Sequence, residues 1–195
     1  EESHPVRRES DQGISVLFSN GNAHRLFVEY AQDAGLQILG NKAENRTYEI
    51  DLTTWKQEGK LPVSNLLVLL FTADENALGR DISFHVEANV FYQVEGEERS
   101  ENFRQTFETI RKDNYFPIFI DRKKSTRISL QVSGGDSAFT ADVFDEIRLI
   151  APENGVLYTY DEKKRLIKEQ DGYTIKEYLD YDEKNHCHRI KETNI

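Results

Sequence analysis

Methionine is absent from this sequence, cysteine occurs once, and basic residues fall well short of acidic ones. Each shortage narrows the field. A lone Cys187 makes no internal disulfide, so the chain is not a disulfide scaffold. A net charge of −10 and a pI near 5.0 repel a phosphate backbone on average, which argues against nucleic acid as a partner. No apolar run approaches the roughly 18 residues that a membrane span needs; the longest, Leu66 to Phe71, is strand-sized. With no methionine even at position 1, the chain is expected to be a processed or excised piece of a longer protein.

Catalytic signatures are missing too. There is no Gly-x-Ser-x-Gly elbow, no Walker loop and no His-Glu-x-x-His. Carboxylates are plentiful but dispersed, whereas a glycosidase needs two at a fixed gap. The expectation is a non-catalytic protein.

What is present is strand after strand. Residues 1–13 are polar and read as a loose leader. Ile14 to Phe18 and Arg25 to Tyr30 flank an Asn20-Gly21-Asn22 turn signal and fit a hairpin. Tyr48, Ile50 and Leu52 share one face of an alternating run, and Thr53 to Gly59 has room for one helical turn. Leu66 to Thr72 is continuously apolar, as in a strand covered on both faces. Ile82 to Val94 alternates over an unusual length, with Phe91 on the face opposite Phe84. Tyr115 to Asp121 carries Pro117, which points to a sheet edge. From Val143 to Ile150 the alternation places Asp145 with Ile147 and Leu149. About nine strands with turn signals at roughly ten-residue spacing predict an all-β sandwich over 14–152.

The remaining residues, 153–195, repeat themselves. Tyr160-Asp161-Glu162-Lys163 returns as Tyr181-Asp182-Glu183-Lys184, an offset of 21 residues. Tyr158-x-Tyr160-Asp161, then Arg165-Leu166, Gly172 and the second Tyr-Asp pair resemble the YD repeat of RHS-type bacterial surface and toxin-delivery proteins. Lys164 and Asn185 stand where that family usually has a turn glycine, His186-Cys187 replaces Arg-Leu, and Leu179 replaces the first tyrosine. The resemblance implies that Tyr158, Tyr160, Tyr178 and Tyr181 pack between strands, that Asp161 and Asp182 hold turns, and that the protein is secreted or displayed on a bacterial cell surface. Two copies cannot close a shell, so the tail must pack on the sandwich, extend a longer array or dock onto another chain.

A second resemblance lies just upstream. Phe103-Arg104-Gln105-Thr106-Phe107, Arg127 to Val132, Gly134-Gly135-Asp136 and Phe144 to Leu149 resemble the closing strands of jelly-roll carbohydrate-binding modules. That likeness implies a jelly-roll sandwich, a glycan ligand and a structural Ca2+ held in part by Asp145, with Asp136 and Asp142 as nearby acids without a motif match. Sugar rings stack on aromatic faces, which makes Trp55, Phe91, Tyr92 and Tyr115 candidate platforms; the alternative for each is a place in the core. His186 and His188 share a strand face with Cys187 turned away, so this cluster reads as part of the repeat rather than as a metal site. The functional expectation is a binding or display module of an RHS-like protein, with glycan recognition by the sandwich. Its alternative is a docking or export module whose strand edges engage a protein of a surface or secretion assembly.

Overall fold

The computed structural model of the chain describes residues 14–17, 23–29, 35–40, 46–80, 83–134 and 143–195. The leader, the Asn20-Gly21-Asn22 turn, Ile82, the Gly135-Asp136 step and Asp142 lie outside them. Strands account for nearly all of the regular structure: β1 (Ile14–Leu17), β2 (Ala23–Glu29), β3 (Gly35–Gly40), β4 (Arg46–Asp51), β5 (Leu66–Ala73), β6 (Phe84–Val94) and β7 (Glu97–Phe107) come first. They are followed by β8 (Asp113–Phe119), β9 (Ser125–Gly134), β10 (Phe144–Ile150), β11 (Asn154–Tyr160), β12 (Leu166–Gln170), β13 (Thr174–Tyr181) and β14 (Cys187–Asn194). One short helix, α1 (Leu52–Gln57), follows β4; the Asp51 carboxylate caps it by accepting from the Thr54 amide at 3.0 Å.

The eight strands from β3 to β10 form two four-stranded sheets, ordered β3-β10-β5-β8 and β4-β9-β6-β7. In chain order these are the first, eighth, third and sixth strands against the second, seventh, fourth and fifth. That interleaving is jelly-roll connectivity, and the expected all-β sandwich is what the chain adopts. Alternate residues supply the core between the sheets: Phe84, Val86, Ala88 and Val90 from β6 meet Leu67, Leu69 and Phe71 from β5. The ring of Phe84 stacks on Phe107 with centroids 4.5 Å apart.

A third layer covers the outer face of the β5 sheet. It is a six-stranded sheet ordered β1-β2-β11-β12-β13-β14, so the N-terminal hairpin joins the tail and not the sandwich. Leu26, Val28 and Leu157 of this layer pack on Leu66, Val68, Leu70, Tyr115, Phe119 and Ile150. This second core explains the sequence of β5: it is the middle layer, and both its faces are buried. Pro117 lies on β8, the end strand of its sheet, where a missing amide costs no ladder bond.

The tail sheet also grips the sandwich through Asn65. Its amide donates to the Gly172 carbonyl at 2.9 Å, its carbonyl accepts from Ile120, and its Oδ1 accepts from the Arg122 amide at 3.1 Å. A Cβ on Gly172 would fall 1.6 Å from Ser64 Oγ, so glycine is required there by close approach.

The alternation read for β10 breaks at its start. A bulge opposite β5 lies between Phe144 and Glu146, so Asp145 is the extra residue and turns to the surface instead of joining Ile147 and Leu149. Phe144 takes the inward place, 3 % exposed.

Candidate functional site

The four aromatic candidates meet different fates. Tyr115 is 2 % exposed and belongs to the core between the middle and third layers, where no ligand reaches it. Trp55, on α1, is half-buried against the sandwich core. Phe91 faces outward from β6, but the Arg127 guanidinium lies 3.5 Å over its ring and is itself held by Glu98 at 3.0 Å and Glu49 at 3.6 Å. A cation already covers that face. As sugar platforms, Tyr115 and Phe91 are corrected by what packs on them, a difference that strand periodicity does not reveal.

Tyr92 opens onto a cleft of about 280 Å³ between the sandwich and the tail sheet. It has the parity of Val90, yet it lies past the end of the core, beyond a register shift between Phe91 and Tyr92 opposite β9. Val90, Phe119 and Ile120 make the apolar floor, and Ile175 and Ile195 close the cleft from the tail side. Polar groups come from separate parts of the chain: Glu101 from β7, Asp121, Lys124 and Ser125 from the turn between β8 and β9, and Gln170 from β12.

That turn is firmly built. Asp121 Oδ1 accepts from the amides of Lys123 at 2.9 Å and Lys124 at 3.3 Å, the Ser125 amide donates to the Asp121 carbonyl at 2.7 Å, and Ser125 Oγ accepts from the Asp121 amide at 2.9 Å. The turn therefore presents a carboxylate oxygen, a hydroxyl proton and an ammonium group from a fixed frame. An apolar floor with one aromatic and a few convergent polar groups is the composition of a small-ligand site, at the small end of the usual size range. No histidine or cysteine lines it. Sequence reading reached Tyr92 alone of these residues, because the others are ordinary strand and turn residues that only the fold assembles.

Asp145, on its bulge, faces Asp74. Partial desolvation, and then the neighbouring Asp74, push the Asp145 carboxyl above its ordinary range. The Asn76 amide, and then a hydrogen bond with Asp145, hold Asp74 below it. Calcium takes six to eight oxygens. Among the described residues no group of three or more acidic, histidine or cysteine side chains stands ready to hold a metal, and Asp136 and Asp142 lie outside those residues.

The repeat positions are brought together in pairs. Asp161 Oδ1 accepts from the amides of Lys163 at 2.9 Å and Arg165 at 3.0 Å, and Asp182 Oδ1 does the same for Lys184 and His186, both at 2.9 Å. The Lys164 amide closes on the Asp161 carbonyl and the Asn185 amide on that of Asp182, and Lys164 and Asn185 have φ of 61° and 62°. Each is a type I turn followed by a left-handed residue. Beyond the turns the copies diverge. The Arg165 side chain pairs with Asp161 at 2.8 Å and lies over the ring of Tyr181, whose hydroxyl donates to the Leu166 carbonyl. In the second copy Asp182 Oδ2 takes His188 at 2.7 Å and His186 at 3.6 Å, and the His186 amide, then the His188 side chain, pull its pKa down to about 2.

Tyr158 and Tyr160 lie on β11, half-buried, and Tyr158 meets Phe27 edge-on with centroids 5.6 Å apart. Burial and a hydrogen bond to Glu169 push the Tyr178 hydroxyl up to about 12. Tyr158, Tyr178 and Tyr181 thus have partners among neighbouring side chains and carbonyls, and Tyr160 is half-buried on the same strand as Tyr158. Among the described residues no helix is long and apolar enough to cross a membrane. Compared with family models, with curated proteins and with solved structures, the chain finds no match in any of the three.

Proposed function

We propose that this chain is a non-catalytic binding module of a secreted or cell-surface protein of the RHS, YD-repeat kind, and that it takes a small glycan in the cleft beside Tyr92. The observation that carries the reading is the cleft itself. Tyr92 supplies a ring for the apolar face of a sugar, while Asp121, Ser125, Lys124 and Gln170 stand around it as partners for hydroxyls. The serine of the lining already accepts from a backbone amide, and no imidazole or thiol stands in the lining to make a nucleophile of it. The matching turns at Asp161 and Asp182 support the repeat assignment.

Titration calorimetry of the full chain against a panel of mono- and disaccharides tests the proposal. One sugar is expected to bind, with Tyr92→Ala weakening it by about tenfold or more and Trp55→Ala leaving it unchanged. If no sugar binds, or Tyr92→Ala binds as well as the parent, the cleft reading falls. The calcium implied at Asp145 is tested separately by melts in calcium and in chelator. An upward shift supports an ion bound to the folded state, and an unchanged melt removes it.

A second reading is favoured by a different observation. β14 is the end strand of the tail sheet, and every residue from His188 to Ile195 is exposed. An uncovered strand edge of that length suits docking by strand addition to a partner protein.

A further inference from the structure

Across the last three strands of the six-stranded sheet, charges alternate in sign along two adjacent rows of cross-strand neighbours. One row runs Lys168, Glu177, Lys191; the adjacent row, on the opposite face, runs Glu169, Lys176, Glu192. Directly opposed residues of antiparallel strands share a face and lie close enough for unlike charges to attract and like charges to repel. The rows therefore favour the observed register over a slipped one. Beside the second row, Tyr178 stands opposite Ile190. Every row stops at β14 with its last member unopposed on the far side, and Ile190 keeps 57 % of its surface in solvent.

We infer that the free edge of β14 receives one further antiparallel strand from a partner polypeptide, with a basic residue opposite Glu192, an acidic residue next, opposite Lys191, and an apolar residue opposite Ile190. This deepens the docking reading and rests on it. The charges at the edge ask for that order, and the molecule already contains a strand that answers it. On the other side of β14, Lys176-Glu177-Tyr178 of β13 runs antiparallel in this register, basic against Glu192, acidic against Lys191 and aromatic against Ile190.

A second copy of the chain does not fit. Two-fold antiparallel pairing of β14 with itself opposes residues of equal parity. Registers centred anywhere from Arg189 to Glu192 then set like against like: Lys191 on Lys191, Lys191 on Arg189, Arg189 on itself or Glu192 on itself. The occupant is a strand of different sequence.

The test uses the intact chain and two capped, fluorescein-labelled eight-residue peptides. One is Thr-Val-Lys-Glu-Tyr-Thr-Val-Thr; the other has Lys and Glu exchanged. At low salt the first is expected to bind about five- to tenfold more tightly by anisotropy, from two attractive pairs replacing two repulsive ones, with the preference fading as salt rises. A chain in which both rows are exchanged together (Lys168→Glu, Glu169→Lys, Lys176→Glu, Glu177→Lys, Lys191→Glu and Glu192→Lys), so that their alternation is kept, is expected to reverse the order.

Strand pairing is read on the unaltered chain with two N-methylated forms of the first peptide, methylated on alternate amides. Only one set of amides faces β14, so one form should lose binding and the other keep it. Equal binding of both unmethylated peptides overturns the charge register while leaving edge docking standing. No binding by either, or binding that survives both methylation patterns, overturns strand addition at β14 and the docking reading with it.

Discussion

His24 shows what a single buried residue does at the joint between the two ends of the chain. It sits on β2 opposite Thr159 of β11, 7 % exposed, with Nδ1 3.0 Å from the threonine hydroxyl. Burial, then the charge of Lys168, lowers its pKa from 6.5 to about 4. The folded form thus holds a neutral imidazole while the unfolded chain takes a proton, so stability is full above pH 6.5 and is lost as the pH falls toward 4. The loss amounts to up to about 3 kcal/mol over that window. Urea unfolding at pH 7, 5.5 and 4 should show a gap between the parent and His24→Gln that narrows or inverts on acidification. A gap that stays constant with pH would show that this histidine is not the titrating group. The histidine drew no attention in the sequence because nothing local marks it; the strand that buries it lies more than a hundred residues downstream.

Among the elements, the repeat hairpins test whether turn chemistry alone governs local stability. Lys164 and Asn185 occupy equivalent left-handed positions, at φ 61° and 62°. A β-carbon there crowds the following carbonyl, a strain that asparagine relieves with its short polar side chain and lysine does not. Lys164→Gly should stabilise the chain by about 0.5–1 kcal/mol, while Asn185→Gly gains less or nothing. Thermal melts decide it, and equal effects at the two sites would contradict the strain argument. Both aspartates and both left-handed positions were legible through the resemblance to the YD repeat, since a turn is specified within four consecutive residues. Asp145 shows the limit of such reading. Its alternation with Ile147 and Leu149 is real in the sequence, but a bulge inserted opposite Thr72 and Ala73 turns it outward.

For the whole molecule, the arrangement in three layers makes the tail a structural necessity rather than an appendage. Leu66, Val68, Leu70, Tyr115, Phe119 and Ile150 are buried under the sheet that the tail completes. At about 1.5–3 kcal/mol for each large apolar side chain, uncovering most of them costs on the order of 10 kcal/mol, comparable to the net stability of an ordinary domain. A chain ending at Pro152 also leaves β2 without its partner β11. It should melt far below the full chain and bind a hydrophobic dye in its native buffer. A cooperative melt at the parent's temperature would mean that the sandwich stands alone and that the third layer adds nothing to it.

Local patterns in the chain are enough to place most of the sandwich strands, the apolar faces of its long strands and the short helix after β4, while the tail's aspartate turns follow from its likeness to the YD repeat. Each of these depends on a period of two, a cap or a four-residue turn, and such local chemistry acts the same way wherever the segment ends up. Leu66 to Thr72 even announced that both its faces would be covered. Tertiary structure alone decided which strands became neighbours. A strand's alternation says which side is apolar and nothing about what will cover it, so the N-terminal hairpin read as the start of the sandwich and was instead drawn into the sheet of the tail. The same long-range choice separated four similar aromatics, burying Tyr115, packing Trp55 against the core, capping Phe91 with Arg127 and leaving Tyr92 on the cleft between sandwich, turn and tail.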